Sequence, residues 1–385
     1  MADVFRLSRV GAGVLVLAAG SVASAQCPTA WFQAATTGPS PRLNHAAAYD
    51  LVRNNLVIYA GERTGMGTND ETWTWDGESW VQQFPLVSPG ARSVHKMAFD
   101  RARGKMVMFG GNAAGVQGDT WEWDGTNWAQ LTIASAPPAR YNHAMAYDTD
   151  RDVIVLTGGW TGARMNDTWE FDGTTWTQRA GTSFTARSSH AMAYDEARQR
   201  MVIFGGFNGA RLSDTWELTA TGWVQIPVTG PAGRQYMNMD YSPDGQVILL
   251  FGGQNGSCGT CRDQDTWTYD GTAWTLVASS GPDIRDQHSV TYDPTNDKWI
   301  VFGGYGGNGV VYQDTWVAGC TASSCYANCD SSTAAPVLNV ADFTCFLNRF
   351  AAGESYANCD GSTLPPTLNV ADFTCFLQSF AAGCN

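Results

Sequence analysis

The sequence predicts an all-β fold built from a repeated unit, and three observations support this prediction. In residues 119–128, large side chains alternate on either side of an Asp-Gly pair, which is the pattern of a β-hairpin with a tight turn. Versions of this hairpin return along the chain, starting at Trp73, Trp121, Trp169, Trp216, Trp267 and Trp316. The 42 glycines and 16 tryptophans of the 385-residue chain are typical of many short strands joined by turns.

Two further strands are predicted upstream of each hairpin. In the third unit His143, Met145 and Tyr147 alternate with alanines, so one face of this strand carries large side chains and the other small ones. An apolar run at residues 153–156 follows and ends in a Gly-Gly pair. Each unit therefore has four strands. The unit length of 47 to 51 residues between hairpin starts is the period of a β-propeller blade.

A hydrophobic strand that ends in Gly-Gly, followed by an aromatic strand and a Trp-bearing strand, resembles the kelch repeat. The Gly-Gly pairs are Gly110-Gly111, Gly158-Gly159, Gly205-Gly206, Gly252-Gly253 and Gly303-Gly304. The first unit departs from the pattern, with Ala60-Gly61 at this place. The resemblance covers about residues 27–320 and implies a six-bladed kelch-type β-propeller of four-stranded blades.

The start of the chain is predicted to complete the last unit, which lacks the second half of its hairpin. Each outer-strand tryptophan precedes the next arginine by 11 or 12 residues, and Trp31 precedes Arg42 by 11. We therefore expect an N-terminal strand beginning near Trp31 to close the last blade, which leaves no blade with an open apolar face. Cys27 and Cys320 stand where the hairpin turn would be, and they are expected to form a disulfide. The alternative is that either one pairs with the C-terminal tail.

Residues 1–25 have the features of a secretory signal peptide, because Arg6 and Arg9 precede an apolar run and a small-residue cleavage site. No later stretch is apolar enough to span a bilayer, so no transmembrane segment is expected after cleavage. The predicted location is secreted or cell-surface, outside a bacterial envelope. In that compartment the ten cysteines are expected to form disulfides. The net charge of -13 argues against nucleic acid as a partner.

The composition changes after Cys320, which divides the chain into a signal peptide (1–25), a propeller (26–320) and a tail (321–385). Residues 326–333 return as 356–363, and residues 338–347 return as 368–377. Each copy is a polar loop followed by a short amphipathic helix, the first from about Val340. This tail resembles a dockerin-type module, two loop-helix units related to half an EF-hand, in the form that ends in Gly-Cys. The resemblance implies an anchor or assembly role with its own partner.

The dockerin resemblance implies calcium ligands in both loops, which carry short polar side chains in alternation. The implied oxygen donors are Asn328, Asp330, Ser332, Asn339 and Asp342 in the first copy and Asn358, Asp360, Ser362, Asn369 and Asp372 in the second. Both loops insert about three residues where a standard loop has one glycine. The alternative is a module held by disulfides alone. Symmetry between the copies favours the pairs Cys329–Cys345, Cys359–Cys375 and Cys325–Cys384, and Cys258–Cys261 is predicted as a local disulfide.

All five histidines occupy one repeat position, where the fifth unit has Met237. They could form a metal-binding ring, but a residue required in nearly every unit is usually part of the scaffold, which is our interpretation. The five are His45, His95, His143, His190 and His288. The arginine three residues before each of these positions and the aspartate of each Asp-Thr-Trp are predicted to pair, because buried charges need partners.

The propeller is predicted to be non-catalytic and to need no cofactor. Some kelch-type propellers are copper oxidases similar to galactose oxidase, which bring two Tyr, two His and a Cys to one metal. Here no histidine lies outside the repeat position, and no hydrolase or nucleotide-binding motif is present. A secreted carbohydrate-active enzyme or an oxidase is the alternative, and a structural role in a surface layer is a third possibility.

Binding is predicted on the loops between each Gly-Gly pair and the next Asp-Thr-Trp, because these loops vary where the strands do not. Exposed aromatic and arginine side chains on the loops of a rigid scaffold are typical of recognition sites. The candidates are Arg63, Trp160, Arg164, Phe207, Arg211 and Tyr305. The expected ligand is a protein or a glycan. The alternative is that these side chains only pack on adjacent loops.

Overall fold

The structure is a computed structural model that describes residues 30–181, 184–256, 261–319 and 340–352. In this part of the chain strands dominate, and the helix Val340–Ala352 is the one α-helix among these residues. Six four-stranded antiparallel sheets, here called units 1 to 6, follow one another along the chain. In each unit we name the strands inner, second, third and outer, in the order in which they are hydrogen-bonded.

The bounds of the strands repeat closely from unit to unit. The inner strands are Ala46–Asp50, Lys96–Asp100, Ala144–Asp148, Ala191–Asp195, Asn238–Ser242 and Ser289–Asp293. The second strands are Asn55–Tyr59, Lys105–Asn112, Val153–Thr157, Arg200–Phe204, Val247–Phe251 and Lys298–Phe302. The third strands are Thr72–Trp75, Val116–Trp123, Thr168–Phe171, Thr215–Thr219, Thr266–Tyr269 and Thr315–Gly319. The outer strands are Trp80–Gln83, Trp128–Gln130, Trp176–Arg179, Gly222–Ile226, Trp274–Ala278 and, for unit 6, Phe32–Ala35.

Short strands lie in the loops on the side of the Gly-Gly pairs. One small sheet contains Arg42–Leu43, Glu62–Arg63 and Gly67–Thr68. Two more pairs are Arg234–Gln235 with Gln254–Asn255 and Tyr305–Gly307 with Val310–Val311. Ladders in units 1 and 5 and isolated bridges in the other four units join the loop after each Gly-Gly or Ala-Gly pair to the segment just before an inner strand. One end of all six units therefore carries the variable loops. We call this end the loop face.

The predicted hairpin is confirmed between the third and outer strands. In unit 3, Phe171 lies opposite Trp176, and the turn between them contains Gly173 with a φ of 93°. The Asp172 carboxylate accepts hydrogen bonds from the backbone N–H groups of Thr174 and Thr175, at 2.8 Å each. An aspartate that satisfies the backbone of its own turn, followed by a glycine that tolerates positive φ, explains why Asp-Gly recurs here.

The strand from the start of the chain completes unit 6. Phe32–Ala35 pairs antiparallel with Thr315–Gly319, and Gln33 lies opposite Trp316. The Trp31 indole N–H donates to the Thr266 hydroxyl of unit 5 at 2.8 Å. The predicted pairing of the N-terminal strand with the last hairpin strand is therefore confirmed.

The same tryptophan contact joins every pair of neighbouring units. Each tryptophan at the start of an outer strand donates its indole N–H to the threonine of the Thr-Trp pair in the third strand of the preceding unit, over 2.8 to 3.0 Å. The pairs are Trp31–Thr266, Trp80–Thr315, Trp128–Thr72, Trp176–Thr120, Trp223–Thr168 and Trp274–Thr215. A buried indole N–H needs an acceptor, so this bond orients the ring while its apolar surface fills the space between units.

A ring of backbone hydrogen bonds surrounds the centre of the molecule. The residue two positions before each inner strand has a positive φ of 53 to 59°, and its N–H donates to the carbonyl of the equivalent residue in the preceding unit. These residues are Asn44, Val94, Asn142, Ser189, Tyr236 and Gln287, and the bond from Asn44 to Gln287 joins unit 1 to unit 6. The inner strands contact one another in the same order, and unit 6 contacts unit 1. The contacts between units therefore close a circle.

The core lies between neighbouring sheets. The second strands are almost fully buried, and the apolar clusters combine side chains from adjacent units. One cluster contains Val107 and Phe109 of unit 2 with Ile154 and Phe171 of unit 3.

The helix Val340–Ala352 confirms the first predicted tail helix. Its Phe346 is fully buried, and the ring centres of Phe346 and Phe350 lie 5.9 Å apart. Among the described residues no helix has the length and apolarity that a membrane crossing requires.

Candidate functional site

The arginines and aspartates of the repeat form the structural base of the loop face. In unit 3 the buried Arg140 guanidinium donates to both carboxylate oxygens of Asp167 at 2.7 Å and to the Gly158 carbonyl at 2.9 Å. Asp167 also accepts the Trp169 indole N–H at 2.8 Å. Burial alone would raise the pKa of Asp167, but the Arg140 and Trp169 hydrogen bonds and the Arg140 charge bring it below its ordinary value.

The predicted pairing of these two repeated residue types is confirmed. The pairs are Arg92–Asp119, Arg140–Asp167, Arg187–Asp214, Arg234–Asp265 and Arg285–Asp314, at 2.6 to 2.8 Å. In unit 1 the carboxylate comes from Glu71, which pairs with Arg42 at 2.5 Å. Each arginine also donates to the carbonyl of the first residue of its Gly-Gly or Ala-Gly pair. The network therefore fixes the Gly-Gly loops from which the variable residues project.

The five histidines are buried packing groups. His45, His143 and His288 each meet the edge of a phenylalanine in the preceding unit, with ring centres 5.2 to 5.7 Å apart. Burial lowers the pKa of all five, with a smaller effect from nearby arginines, so the imidazoles stay neutral. In the described ranges no three His, Cys, Asp or Glu side chains converge in a way that would hold a metal ion.

The structure brings three of the predicted aromatic candidates to one position in the repeat. Trp160, Phe207 and Tyr305 each follow directly on a Gly-Gly pair and form a β-bridge with the segment before an inner strand. Their partners across these bridges are Tyr141, Ser188 and Asp286, respectively. All three rings are partly exposed on the loop face. The rigid network below them fixes the backbone on which they stand.

A second repeat position carries arginine in three consecutive units. Arg164 of unit 3 bridges to Trp160, Arg211 of unit 4 bridges to Phe207, and Arg262 of unit 5 bridges to Gln254. The equivalent residues of units 1, 2 and 6 are Thr68, Val116 and Val311. We call Arg164, Arg211 and Arg262 the arginine arc. Because half the units have this arginine and half do not, the arc breaks the symmetry that the scaffold residues obey.

Sequence reasoning missed Arg262, although it identified the other two members of the arc. The loop of unit 5 has four more residues between Gly-Gly and this arginine than the loops of units 3 and 4, which obscures the equivalence. The Gln254–Arg262 bridge is the observation that reveals it. A comparison of loops aligned backwards from Asp-Thr-Trp could have found it.

Aromatic rings hold two members of the arc in place. The Arg164 guanidinium carbon lies 5.1 Å from the Trp160 ring centre and 4.6 Å from that of Phe207 in the next unit. The Arg262 guanidinium carbon lies 4.4 Å from the Tyr305 ring centre, again in the next unit. Cation–π contacts of this kind fix a guanidinium without neutralising its charge.

The charge of the arc is only partly neutralised. Arg262 pairs with the buried Asp286 carboxylate at 3.1 Å. Burial raises the pKa of Asp286, while the charges of Arg262 and Arg211 oppose this rise. Neither Arg164 nor Arg211 has a carboxylate within ion-pair distance in the part of the chain that the structure describes. The loop face of units 3 to 5 therefore presents uncompensated positive charge, although the whole chain has a net charge of -13.

The remaining loop candidate has a different environment. The Arg63 guanidinium pairs with Glu71 at 3.2 Å, and Glu71 also pairs with the buried Arg42. Its position is not equivalent to the arc, because Thr68 occupies that place in unit 1. Arg63 thus extends the structural ion-pair network of its unit.

The centre of the ring contains a cavity of about 170 Å³, lined by all six inner strands. We call it the central cavity. Alanines contribute part of its lining, together with polar and charged side chains that include Lys96, Asn238 and Asp240. Burial raises the pKa of Asp240 to about 6, against the effect of backbone N–H donation from Tyr292 and Tyr241 at 2.7 and 2.9 Å. These residues were not predicted, because nothing in an alternating strand pattern marks a residue that faces the axis of a ring.

Most tail predictions fall outside the described residues. Of the calcium-ligand candidates, Asp342 belongs to the helix Val340–Ala352, and the others lie outside the described ranges. Cys261 and Cys345 are disulfide-bonded, and their partners also lie outside those ranges. The five cysteine pairings and the calcium site therefore stay predictions.

The chain has the features of a kelch-type β-propeller. These features are the repeated four-stranded sheets, the Gly-Gly loops, and the Arg, Asp and Trp contacts that recur at regular spacing from unit to unit. The profile of the KLHDC2/KLHL20/DRC7 kelch-repeats domain matches residues 26–183 and 174–337, which is more than half of the chain. The chain therefore belongs to the kelch-repeat family.

Two similar proteins agree with this assignment. The dynein regulatory complex subunit 7 of Chlamydomonas reinhardtii is 35% identical over 78 residues, which cover 20% of this chain and 7% of that protein. The match therefore spans only a small part of that relative. The structure of YjhT superposes with a TM-score of 0.59 at 16% identity and covers 72% of this chain and 95% of YjhT. At this identity the similarity shows the fold alone.

Proposed function

We propose that this chain is an exported interaction protein that binds an acidic surface of a partner protein through the arginine arc and the aromatic rings beside it. The single observation that carries the proposal is the presence of arginine at one bridge position in three consecutive units, two of them without a carboxylate partner among the described residues. Kelch repeats are typical of interaction domains, and the relative named as a subunit of the dynein regulatory complex fits that role.

The arc has the physical properties of a binding surface for carboxylates. A guanidinium presents a planar set of donors that matches a carboxylate with two parallel hydrogen bonds. Contacts with Trp160, Phe207 and Tyr305 restrict the motion of Arg164 and Arg262 before any partner arrives. Less side-chain entropy is then lost on binding, which favours affinity. Arginine, tryptophan and tyrosine are also the residue types that most often dominate the energy of an interface.

A glycan is the second candidate ligand, because Trp160 and Phe207 are aromatic side chains of the kind that stack on sugars. Arg164 lies over both of these rings, however, so a sugar could stack on those faces only after displacing the guanidinium. This contact favours an anionic partner over a neutral glycan. An acidic glycan would use the same guanidinium groups and is distinguished by the experiment below.

The other parts of the proposal rest on the sequence and on the connectivity of the sheets. The propeller has six blades in this proposal, supported by the six sheets and the circle of contacts between them. Secretion is supported by the signal-like residues 1–25, and anchoring by the dockerin resemblance of residues 321–385. Calcium in the tail and the predicted disulfides belong to the same proposal. A carbohydrate-active enzyme or oxidase is less favoured, because the described residues offer no cluster of potential metal ligands.

Binding to poly-glutamate tests the role of the arc. The mature protein and the double variant Arg164→Met and Arg211→Met are compared for affinity at low and physiological salt. The matched control is Arg200→Met, because Arg200 lies in unit 4 at the end opposite the loop face and donates to the Gln199 carbonyl. We expect the double variant to bind at least about tenfold more weakly and to lose part of the salt dependence, since two charged contacts are removed.

Three outcomes separate the alternatives. Weakened binding in the double variant with unchanged binding in Arg200→Met supports the proposal. Equal binding in all three proteins contradicts it, since net charge alone would then explain the affinity. Binding to polygalacturonate without binding to poly-glutamate would favour the acidic glycan.

A further inference from the structure

Lys96 is an exception at the first position of the inner strand. The equivalent residues are alanine in units 1, 3 and 4, asparagine in unit 5 and serine in unit 6. Lys96 lines the central cavity and also the narrower space of about 30 Å³ inside the ring of backbone hydrogen bonds. The side chain is thus placed at the axis of the molecule, between the cavity and the loop face.

The electrostatic surroundings of Lys96 agree with this central position. Burial and the nearby arginines are the larger causes of the lowered pKa of the five histidines. The Lys96 charge is a further cause for each of the five, although they belong to five different units. Those histidines are neutral. Burial lowers the pKa of Lys96 itself to about 8, and no carboxylate contributes an opposing effect. At neutral pH the ammonium is therefore the one charged group that all five histidines share.

No counter-ion for this ammonium is found among the described residues. Lys96 has no ion pair there, and none of the side-chain hydrogen bonds described for the inner strands involves it. Two carboxylates line the central cavity, and both are otherwise engaged. The Asp240 carboxylate accepts two backbone N–H groups, and the Glu196 carboxylate pairs with the Arg101 guanidinium at 2.5 Å. Lys96 is partly buried. A partly desolvated charge without a partner is unfavourable, so a mobile anion would find a favourable place beside it.

The shape and lining of the central cavity limit the size and chemistry of such an anion. Its volume of about 170 Å³ is many times that needed for one water molecule. Ala46, Ala98, Ala144 and Ala191 supply apolar parts of the same lining. Lys96 is the cationic group of this lining without a carboxylate partner among the described residues, since Arg101 pairs with Glu196. One unpaired ammonium in a cavity of this size, with alanines in part of its wall, matches a small ligand with one carboxylate.

We propose that the Lys96 ammonium binds a small monocarboxylate in the central cavity. The site is distinct from the arginine arc, because it lies inside the ring of inner strands and uses none of the loop-face side chains. It goes beyond the proposed interaction with a protein and does not depend on it. The carboxylate would accept from the ammonium, and the hydrocarbon body of the ligand would contact the alanines of the lining.

The composition of the chain permits a direct test. Lys96, Lys105 and Lys298 are the three lysines of the sequence, so ¹³C-dimethylation gives three lysine signals by NMR. Lys105 pairs with Glu122 at 3.0 Å and Lys298 is exposed, so both serve as internal controls. The signals are followed at pH 7 while sodium acetate replaces sodium chloride at constant ionic strength. We expect the Lys96 signal, assigned by its loss in Lys96→Met, to shift and reach saturation while the other two stay in place.

A second measurement uses unmodified protein, in case methyl groups obstruct the site. Acetate should raise the midpoint of thermal unfolding of the wild type relative to chloride and should have no such effect on Lys96→Met, since a ligand stabilises only a state that binds it. The double variant Arg164→Met and Arg211→Met should keep the full response, which separates this site from the loop face. The absence of an acetate effect in both measurements would overturn the proposal, as would equal shifts of all three lysines. Equal saturation by chloride would show an inorganic anion site and refute the monocarboxylate.

The response should also depend on pH in one direction. The five histidines stay neutral because burial lowers their pKa. The pKa of Asp240, which lies beside Arg101 and Glu196, is raised by burial to about 6, so this carboxylate is already ionised above pH 7. Burial raises the pKa of the tyrosines that line the cavity, which are Tyr49, Tyr147, Tyr194, Tyr241 and Tyr292. Between pH 7 and pH 9 Lys96 is then the group that changes charge. With its pKa at about 8, the apparent acetate affinity should fall about tenfold over this interval. An affinity independent of pH would exclude the ammonium as the binding group.

Discussion

Arg140 and Arg164 belong to the same unit, yet their environments are opposite. Arg140 is fully buried and donates to a backbone carbonyl and to the Asp167 carboxylate, which also accepts an indole N–H, all within its own repeat. Arg164 lies on the loop face over two aromatic rings, without a carboxylate partner in the described ranges. Arg140 has an equivalent in all six units, whereas Arg164 has one in two others.

The difference shows how a repeat divides structural from binding residues. A residue found in every unit has its partner in every unit, so its charge is satisfied when the unit folds. A residue found in some units has no partner supplied by the repeat, and its charge remains available to a ligand. Lys96 follows the same rule inside the ring, where its equivalents are small and mostly apolar.

The largest expected effect comes from removing one member of a buried pair. Arg140→Met leaves the Asp167 carboxylate without its cation, and we expect the free energy of unfolding to fall by about 3 to 5 kcal/mol. Arg164→Met removes no buried partner and should change it by less than about 0.5 kcal/mol. Equilibrium unfolding in urea measures both. Similar losses in the two variants would show that the arc also has a structural role.

Much of this division could be read from the sequence, for reasons of local chemistry. The spacing from Trp31 to Arg42 predicted the closing strand, and the repeated Arg and Asp positions predicted the buried pairs. Arg262 was missed because an insertion shifted its spacing from Gly-Gly. Lys96 was missed because its surroundings come from six strands far apart in the chain, and only the closed circle brings them together.

The second prediction concerns the five histidines beside the inner strands and tests whether they have a purely structural role. Burial depresses the folded-state pKa of His143 well below 6.5, while in the unfolded chain it titrates near 6.5. The unfolded state therefore binds the proton first, and stability is lost as pH falls below 6.5. Each such histidine contributes a slope of about 1.4 kcal/mol per pH unit. His143→Met, which copies the natural Met237 of unit 5, should remove one histidine's contribution.

Urea unfolding at pH 7, 6 and 5 measures this slope for the wild type and for His143→Met. Asp240 acts in the opposite direction, because its pKa is raised to about 6 and the folded state takes up that proton first. His190→Met is a matched second variant, since the pKa of His190 is lowered to about 3 by the same main cause. Unchanged slopes in both variants would mean that the histidines are protonated in the folded protein, contrary to their role as neutral packing groups.

The smallest expected effect lies in the ring of backbone hydrogen bonds, beside Lys96. Val94 has a φ of 53°, a conformation that is unfavourable for a β-branched residue, whereas Asn44 and Asn142 occupy the equivalent position in units 1 and 3. Val94→Asn should therefore raise the free energy of unfolding by about 1 kcal/mol, because asparagine tolerates this conformation better. Asn142→Val should lower it by a similar amount. If Val94→Asn instead destabilises the protein, the valine side chain contributes packing next to Lys96 that outweighs its backbone strain, and unit 2 would differ from its neighbours in more than one residue at the axis.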